Sequence, residues 1–266
     1  MSESRLHHAI ASAKQKYGIA LMPFVAAGYP DLKTSLELIP ALQRAGAAVI
    51  EVGFPFSDPI ADGPVIQEAF TVALSRGLRI DQIFDAFENM DAQISIPRIA
   101  MVSFSIIYRY GVQAFMQRAV RAGFAGVLIP DLPPPEADQV CQIVRNNGLD
   151  TVLLVSPTTS PHRRHEIAQL TSGFIYYLSL AGTTGERDHL PQDVQTNVQN
   201  LKQMASVPVC VGFGISKPEH LAQLSTVADG AIVGSAIIRR IKQNPSDPVH
   251  AVESFARELV GSSVVT

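Results

Sequence analysis

Two cysteines in 266 residues, Cys141 and Cys210, without CxxC spacing, leave no disulfide scaffold on which a fold could rest. Both lie in apolar stretches and read as buried thiols of a reducing compartment. An excess of positive charge is also missing. The chain has 21 Lys and Arg against 24 Asp and Glu, a formal charge of -3, and no basic stripe that would grip a nucleic-acid backbone. Long hydrophobic runs are absent: no stretch of about 18 apolar residues could span a bilayer, and residues 1–16 are polar and helix-like without an apolar signal core. These absences predict a soluble cytoplasmic protein.

What is present is a rhythm. The chain is 47% hydrophobic, enough to bury one large core or two small ones, and its short apolar runs alternate with amphipathic stretches. The runs fall at 19–27, 48–54, 98–104, 126–130, 151–156, 174–180, 208–213 and 230–234. Helical patterns occupy 32–45, 64–76, 110–122, 135–147, 161–170, 192–205, 218–224 and 247–259. Asp31, Ser160 and Ser216 stand where helix N-caps belong, and Pro64, Pro135, Pro161 and Pro218 at or near first turns. Strands rich in Val, Ile and Leu with little polar alternation suit a parallel sheet covered by helices. Eight strand-helix units without a linker predict a single-domain (β/α)8 barrel over residues 1–266. An open doubly wound sheet is the rival, and no GxGxxG opens the first strand-to-helix turn to support it.

Barrels of this kind carry their chemistry at the C-terminal ends of the strands. There Glu51 interrupts the run Ala-Val-Ile-Glu-Val-Gly-Phe-Pro, where a carboxylate must find a partner or take a raised pKa. Asp62 follows in a Pro- and Gly-bounded loop able to fold over the same mouth. A salt-bridged Glu51 and an Asp62 that merely caps a helix are the structural alternatives. Three glycine-rich segments, Gly182-Thr183-Thr184-Gly185, Gly212-Phe213-Gly214-Ile215-Ser216 and Gly234-Ser235, end the last three strands. Close backbone approach and a helix N-terminus there suit a phosphate monoester. Phe24, Leu128, Tyr176 and Phe213 are candidates for an apolar slot beside it, although each is also an ordinary core residue. No candidate strand contains a lysine, and Lys217 begins a helix, which argues against Schiff-base chemistry. The seven histidines are scattered, so neither a metal nor another cofactor is expected.

The segments Pro23-Phe24-Val25-Ala26-Ala27-Gly28-Tyr29-Pro30-Asp31 and Glu51-Val52-Gly53-Phe54-Pro55-Phe56-Ser57-Asp58-Pro59-Ile60-Ala61-Asp62-Gly63-Pro64-Val65-Ile66-Gln67 resemble the tryptophan synthase α subunit family. So do Pro130-Asp131-Leu132-Pro133 and the glycine-rich segments, in order. The resemblance implies cleavage of indole-3-glycerol phosphate to indole and glyceraldehyde 3-phosphate. Glu51 would take the main acid-base position, and Asp62 would hold the indole nitrogen. It further implies a substrate contact from Tyr176, and Thr184 on a loop that closes over the site, so that Thr184 joins Phe24, Leu128, Tyr176 and Phe213 as a candidate for substrate binding. Gly185, Gly214, Gly234 and Ser235 would form the phosphate cradle. Indole would pass to a β subunit that meets the surface around Asp58, in an α-β-β-α complex. Where the family often reads Tyr-Tyr-Asn-Pro after the third strand, this chain has Ser103-Phe104-Ser105-Ile106. The competing readings are a phosphate-binding barrel isomerase, which would want an acid-base residue at the end of the first strand, and a silent α-like partner protein.

Overall fold

The computed structural model describes residues 4–59, 62–90, 94–178, 192–212 and 214–261. Eight parallel strands close into a barrel in chain order: β1 (Ala20–Ala26), β2 (Ile50–Gly53), β3 (Arg98–Met101), β4 (Gly126–Leu128), β5 (Asp150–Val155), β6 (Ile175–Leu178), β7 (Val209–Gly212) and β8 (Gly230–Val233). The ladder is completed by β1 against β8, with Ala20 opposite Gly230 and Pro23 opposite Val233. Most strand residues are buried on both faces, one face toward the barrel axis and one toward the helices. That double burial explains the near-continuous apolar runs.

Twelve helices occur among the described residues: α1 (Arg5–Tyr17), α2 (Leu32–Arg44), α3 (Pro64–Ser75), α4 (Ile80–Glu88), α5 (Phe104–Tyr110), α6 (Val112–Arg121), α7 (Pro134–Asn146), α8 (Pro161–Leu170), α9 (Gln192–Met204), α10 (Pro218–Ser225), α11 (Ser235–Gln243) and α12 (Pro248–Gly261). None of them is long and apolar enough to cross a membrane. Asp31 and Ser160 cap α2 and α8, accepting from the backbone N–H groups of Thr34 and Arg163. Ser216 does not cap α10, contrary to expectation. Lys217 occupies the N-cap with no side-chain bond that caps the helix, and the Ser216 N–H is taken up instead by the His220 ring. Pro134, not Pro135, stands first in α7.

The third strand is shorter than its apolar run suggests. It ends at Met101, and Phe104 opens α5, because Asp131 accepts from the Phe104 N–H at 2.7 Å and from the Ser103 hydroxyl at 2.6 Å. A carboxylate from the next strand-helix connection thus satisfies a free N–H of the first helical turn. Behind β2, Phe54 packs on Phe84, Phe115 and Phe124 at centroid distances of 5.4–5.9 Å, filling the space beneath α4 and α6.

Helix α1 precedes the first strand and closes the N-terminal end of the barrel. Leu6 is fully buried, and its Cδ1 lies about where side chains at Gly126 and Gly173 would otherwise reach, 3.1 and 3.0 Å from their ideal Cβ positions. Lys14 and Lys202 both donate to Asp229, at 2.6 and 2.9 Å, and Asp229 also accepts from the Val209 N–H. The opposite, C-terminal end is left for chemistry.

Candidate active site

Glu51 stands in the middle of β2, opposite Phe24 on β1 and Ile99 on β3, and is only 2% exposed. Among the described residues its Oε2 has no hydrogen-bond partner and no cation pairs with it. Among the described residues the salt-bridged alternative is therefore not built. Burial, reinforced by the nearby Asp62 charge, pushes the Glu51 carboxyl up to about 8, so the group carries its proton near neutral pH. Burial likewise raises Asp62, to about 6. The two carboxyls feel each other, and near neutrality one is an acid and the other an anion.

Asp62 is held in place by Gln67, a residue to which the sequence attached no role. The Gln67 side-chain amide donates to the carbonyl oxygens of Asp62 at 2.8 Å and Pro59 at 3.1 Å, and the Asp62 N–H closes a turn onto the Pro59 carbonyl at 3.0 Å. The N-cap of α3 is Gly63, so Asp62 is not spent on capping the helix. One turn into α3, Gln67 therefore fixes the loop that presents the carboxylate. A polar residue on the loop-facing side of a first helical turn is the signal that would have found it.

Tyr176 completes the polar part of the mouth. It lies on β6 opposite Cys210, half-buried. Its hydroxyl is pushed well above its ordinary range by burial first and then by the charges of Glu51, Asp62 and Cys210, so it remains a neutral donor. The phenol can lie inward because β7 ends in a glycine: a Cβ at Gly212 would fall 2.5 Å from the Tyr176 hydroxyl. Phe24 gains room in the same way, since a Cβ at Gly53 would sit 2.4 Å from its ring, with Phe70 behind at 3.0 Å. On its other side Phe24 approaches Gly234, where its Cβ lies 3.6 Å and Ile66 Cδ1 lies 3.5 Å from the ideal Cβ position. Phe24 therefore connects the carboxylate side of the mouth to the end of β8.

That end carries the candidate anion site. Gly234 is the N-cap of α11 and Ser235 its first residue, so first-turn N–H groups without intrahelical partners point toward the mouth. The neighbouring strand β7 leads to Gly214, which is exposed with open space where a side chain would stand. Leu128 is 1% exposed at the end of β4, in register with Met101 and Val152, four strands around from β8. Of the remaining sequence candidates, Thr184, Gly185 and Phe213 lie outside the described residues. No cluster of His, Cys, Asp and Glu able to hold a metal occurs among the described residues. Asp58, expected on the partner-facing surface, is exposed in the loop after β2.

Comparison with known proteins identifies the family. The family model described as tryptophan synthase alpha chain matches residues 10–262. The tryptophan synthase alpha chain of Rhodopirellula baltica is 45% identical over 253 residues, covering 91% of each chain. That of Synechocystis is 40% identical, over 92% of this chain and 94% of the relative. Among solved structures, tryptophan synthase from M. tuberculosis superposes with a TM-score of 0.88 at 30% identity over the whole of both chains. The tryptophan synthase alpha-subunit of Pyrococcus furiosus, a mutant form, gives 0.85 at 36% identity, over 91% of this chain and 98% of its own. With its eight-stranded barrel and a family match over residues 10–262, this chain belongs to the tryptophan synthase alpha chain family, whose lyase reaction cleaves indole-3-glycerol phosphate to indole and glyceraldehyde 3-phosphate.

Proposed function

We propose that Glu51 and Asp62 divide the acid-base work of this lyase, with the chain acting as one barrel domain. The single observation that carries the reading is the buried Glu51 carboxyl, raised to about 8, beside an Asp62 raised only to about 6. Near neutral pH Glu51 enters protonated and Asp62 ionised. Glu51 gives its proton to the indole C3, and positive charge develops on the ring nitrogen, whose N–H donates to the Asp62 carboxylate. The bond between C3 and the glycerol carbon then breaks and its electrons return to the ring. The hydroxyl on the departing carbon becomes the aldehyde and yields its proton. Glu51, a carboxylate since the first step, accepts that proton and is ready again. No net proton is gained or lost, so one carboxyl serves as acid and then as base.

Phe24, Leu128, Tyr176 and, beyond the described residues, Thr184 and Phe213 make the slot for the indole ring. Gly214, Gly234 and Ser235, with Gly185, receive the phosphate at the N-terminus of α11. A neutral Tyr176 hydroxyl is suited to hydrogen-bond the glycerol chain. No metal or cofactor enters this reaction. The partner is a tryptophan synthase β subunit, received at the exposed surface around Asp58 in an α-β-β-α assembly, to which indole passes. Two free, buried cysteines suit a reducing cytoplasm.

The test is indole release from indole-3-glycerol phosphate by the purified chain, with and without a cognate β subunit, beside Glu51→Gln. Indole formation that rises with β and falls about 10³-fold in the variant supports the assignment. Undiminished release by Glu51→Gln would overturn the role of Glu51. No indole even with β present would leave the silent-partner reading.

A further inference from the structure

His220 is a histidine that the reaction does not use. It lies in the first turn of α10 and is only 3% exposed, one of few buried polar residues among those described. Its Nδ1 accepts the backbone N–H of Ser216 at 3.4 Å, while its own N–H donates to the Lys217 carbonyl. A side chain at the third helical position thus reaches back past the N-cap and binds the backbone one residue before it. This is the logic of a capping box moved one residue outward. Nothing else at this helix start does that work, because the Lys217 side chain makes no cap bond and Pro218 has no N–H to offer.

The turn braced in this way is the one that presents Gly214. Between Gly214, exposed and open above its Cα, and the helix stand only Ile215, Ser216 and Lys217. Ile215 is 3% exposed and anchors the turn to the core through its side chain. Its apolar contact holds position but does not set peptide orientation. The hydrogen bond from the Ser216 N–H to the ring does, fixing the Ile215–Ser216 peptide directly after Gly214 and Ile215. The Ser216 hydroxyl is itself buried with no partner among the described residues, so the backbone N–H is what ties this residue to the ring.

We infer that His220 is a positioning residue for phosphate affinity: it orients residues 214–217, ahead of α10, so that the Gly214 backbone faces the phosphate of the substrate. The inference rests on the reading that this end of the barrel binds a phosphate monoester. His220 touches neither the phosphate nor the reacting atoms. Its removal therefore weakens binding through the phosphate handle and leaves the chemical step at the opposite side of the mouth largely intact, a rise in KM with much less change in kcat.

The experiment compares the full chain with His220→Leu, which removes the acceptor at similar bulk, and His220→Asn, whose amide oxygen can take the place of Nδ1. The readouts are the dissociation constant of glycerol 3-phosphate, that of indole as a phosphate-free control, and KM and kcat for cleavage. The expected result is about fivefold weaker glycerol 3-phosphate binding and a matching rise in KM in His220→Leu, the worth of one hydrogen bond. Indole binding is unchanged, and His220→Asn restores the phosphate affinity. If His220→Leu does not fold, His220→Ala replaces it in the same comparison. Equal glycerol 3-phosphate affinity in wild type and the acceptor-less variant overturns the inference while leaving the phosphate site standing. So does equal weakening in the leucine and asparagine variants, which would make the effect one of shape. A wild-type chain that binds no glycerol 3-phosphate at all overturns the phosphate reading, and the inference with it.

Discussion

Glu51 shows how a single substitution of charge into an apolar strand becomes a working group. Its neighbours in β2, Ile50 and Val52, are fully buried, and among the described residues no cation pairs with it. The carboxyl therefore holds its proton up to about 8, while Asp62 releases its own near 6. If the protonated Glu51 and ionised Asp62 are the active forms, kcat/KM follows a bell with limbs near 6 and 8, read from a pH series of indole release. Stability carries the opposite imprint. A carboxyl whose folded pKa is raised binds more protons folded than unfolded, so its contribution falls as pH rises from about 4.5 to about 8 and is level above that. Over that window Glu51→Gln, whose amide does not titrate, should gain on the wild type by a few kcal/mol, of the order that a shift of this size implies. Urea titrations at pH 5 and pH 8 measure it, and a constant gap between the two proteins would remove burial of the charge as the cause. The glycines act at the same scale. In Gly53→Ala the new methyl meets the Phe24 ring, which Phe70 keeps from retreating. The expected cost is about 1–3 kcal/mol with a raised KM, seen in urea unfolding and steady-state kinetics.

At the scale of elements, the site depends on short connections being held by side chains from neighbouring helices. Gln67 in α3 grips the Pro59 and Asp62 carbonyls, so Gln67→Leu, which keeps bulk and removes the donor, frees the loop that carries Asp62. A displacement of about 1 Å in a catalytic group can cost on the order of 100-fold. The variant is expected to lose between tenfold and 100-fold in kcat/KM, about that range, with unfolding shifted by only about 1 kcal/mol. Wild-type kinetics in Gln67→Leu would mean that Asp62 is placed by the backbone alone. The connection after β3 is organised by the same means. Asp131 seats the first turn of α5, and Ser103, Ser105 and Asp131 form a small hydrogen-bonded chain. The departure from the family's Tyr-Tyr-Asn-Pro thus leaves an ordered helix start.

On the scale of the whole molecule, the barrel has one end for chemistry and one end sealed. Leu6 on α1 seals it from inside, and Lys14 and Lys202 converge on Asp229 to fasten α1 and α9 to the base of β7 and β8. Leu6→Ala opens a cavity between Gly126 in β4 and Gly173 just before β6, which glycines without side chains cannot fill. The expected destabilisation is about 2–5 kcal/mol. Because the cavity lies at the opposite end from Glu51, kcat and KM measured well below the transition should remain those of the wild type. A variant with normal stability would show that α1 is a passenger on the barrel.

The architecture was largely legible in the chain. Doubly buried strands leave uninterrupted apolar runs, and a helix-covered parallel sheet of eight such runs has few ways to close, so strand number and order followed from pattern. Glu51 was visible because charge is costly in such a run, and the resemblance to the family carried the residue roles. Strand and helix ends were less legible. Phe104 looked like strand because it is apolar, and only the Asp131 carboxylate, 27 residues away in sequence, makes it helical. Helices α4 and α11 were not expected. The buried Ile237, Ile238 and Ile241 of α11 do carry a helical spacing, but it starts directly after β8, where no loop announces it. Ser216 resembled an N-cap, yet the ring of His220 claims its N–H.

The division has a physical reason. Burial and periodicity are properties that each segment carries in its own residues, so the sequence by itself determined the eight units, the apolar core and the presence of an acid inside an apolar strand. Proximity is not carried by any segment. That the Glu51 carboxyl is raised by the charge of Asp62, that Tyr176 lies over Gly212, that Gln67 holds the Asp62 loop and that Leu6 closes the floor are decided only when the barrel brings distant residues within a few ångströms.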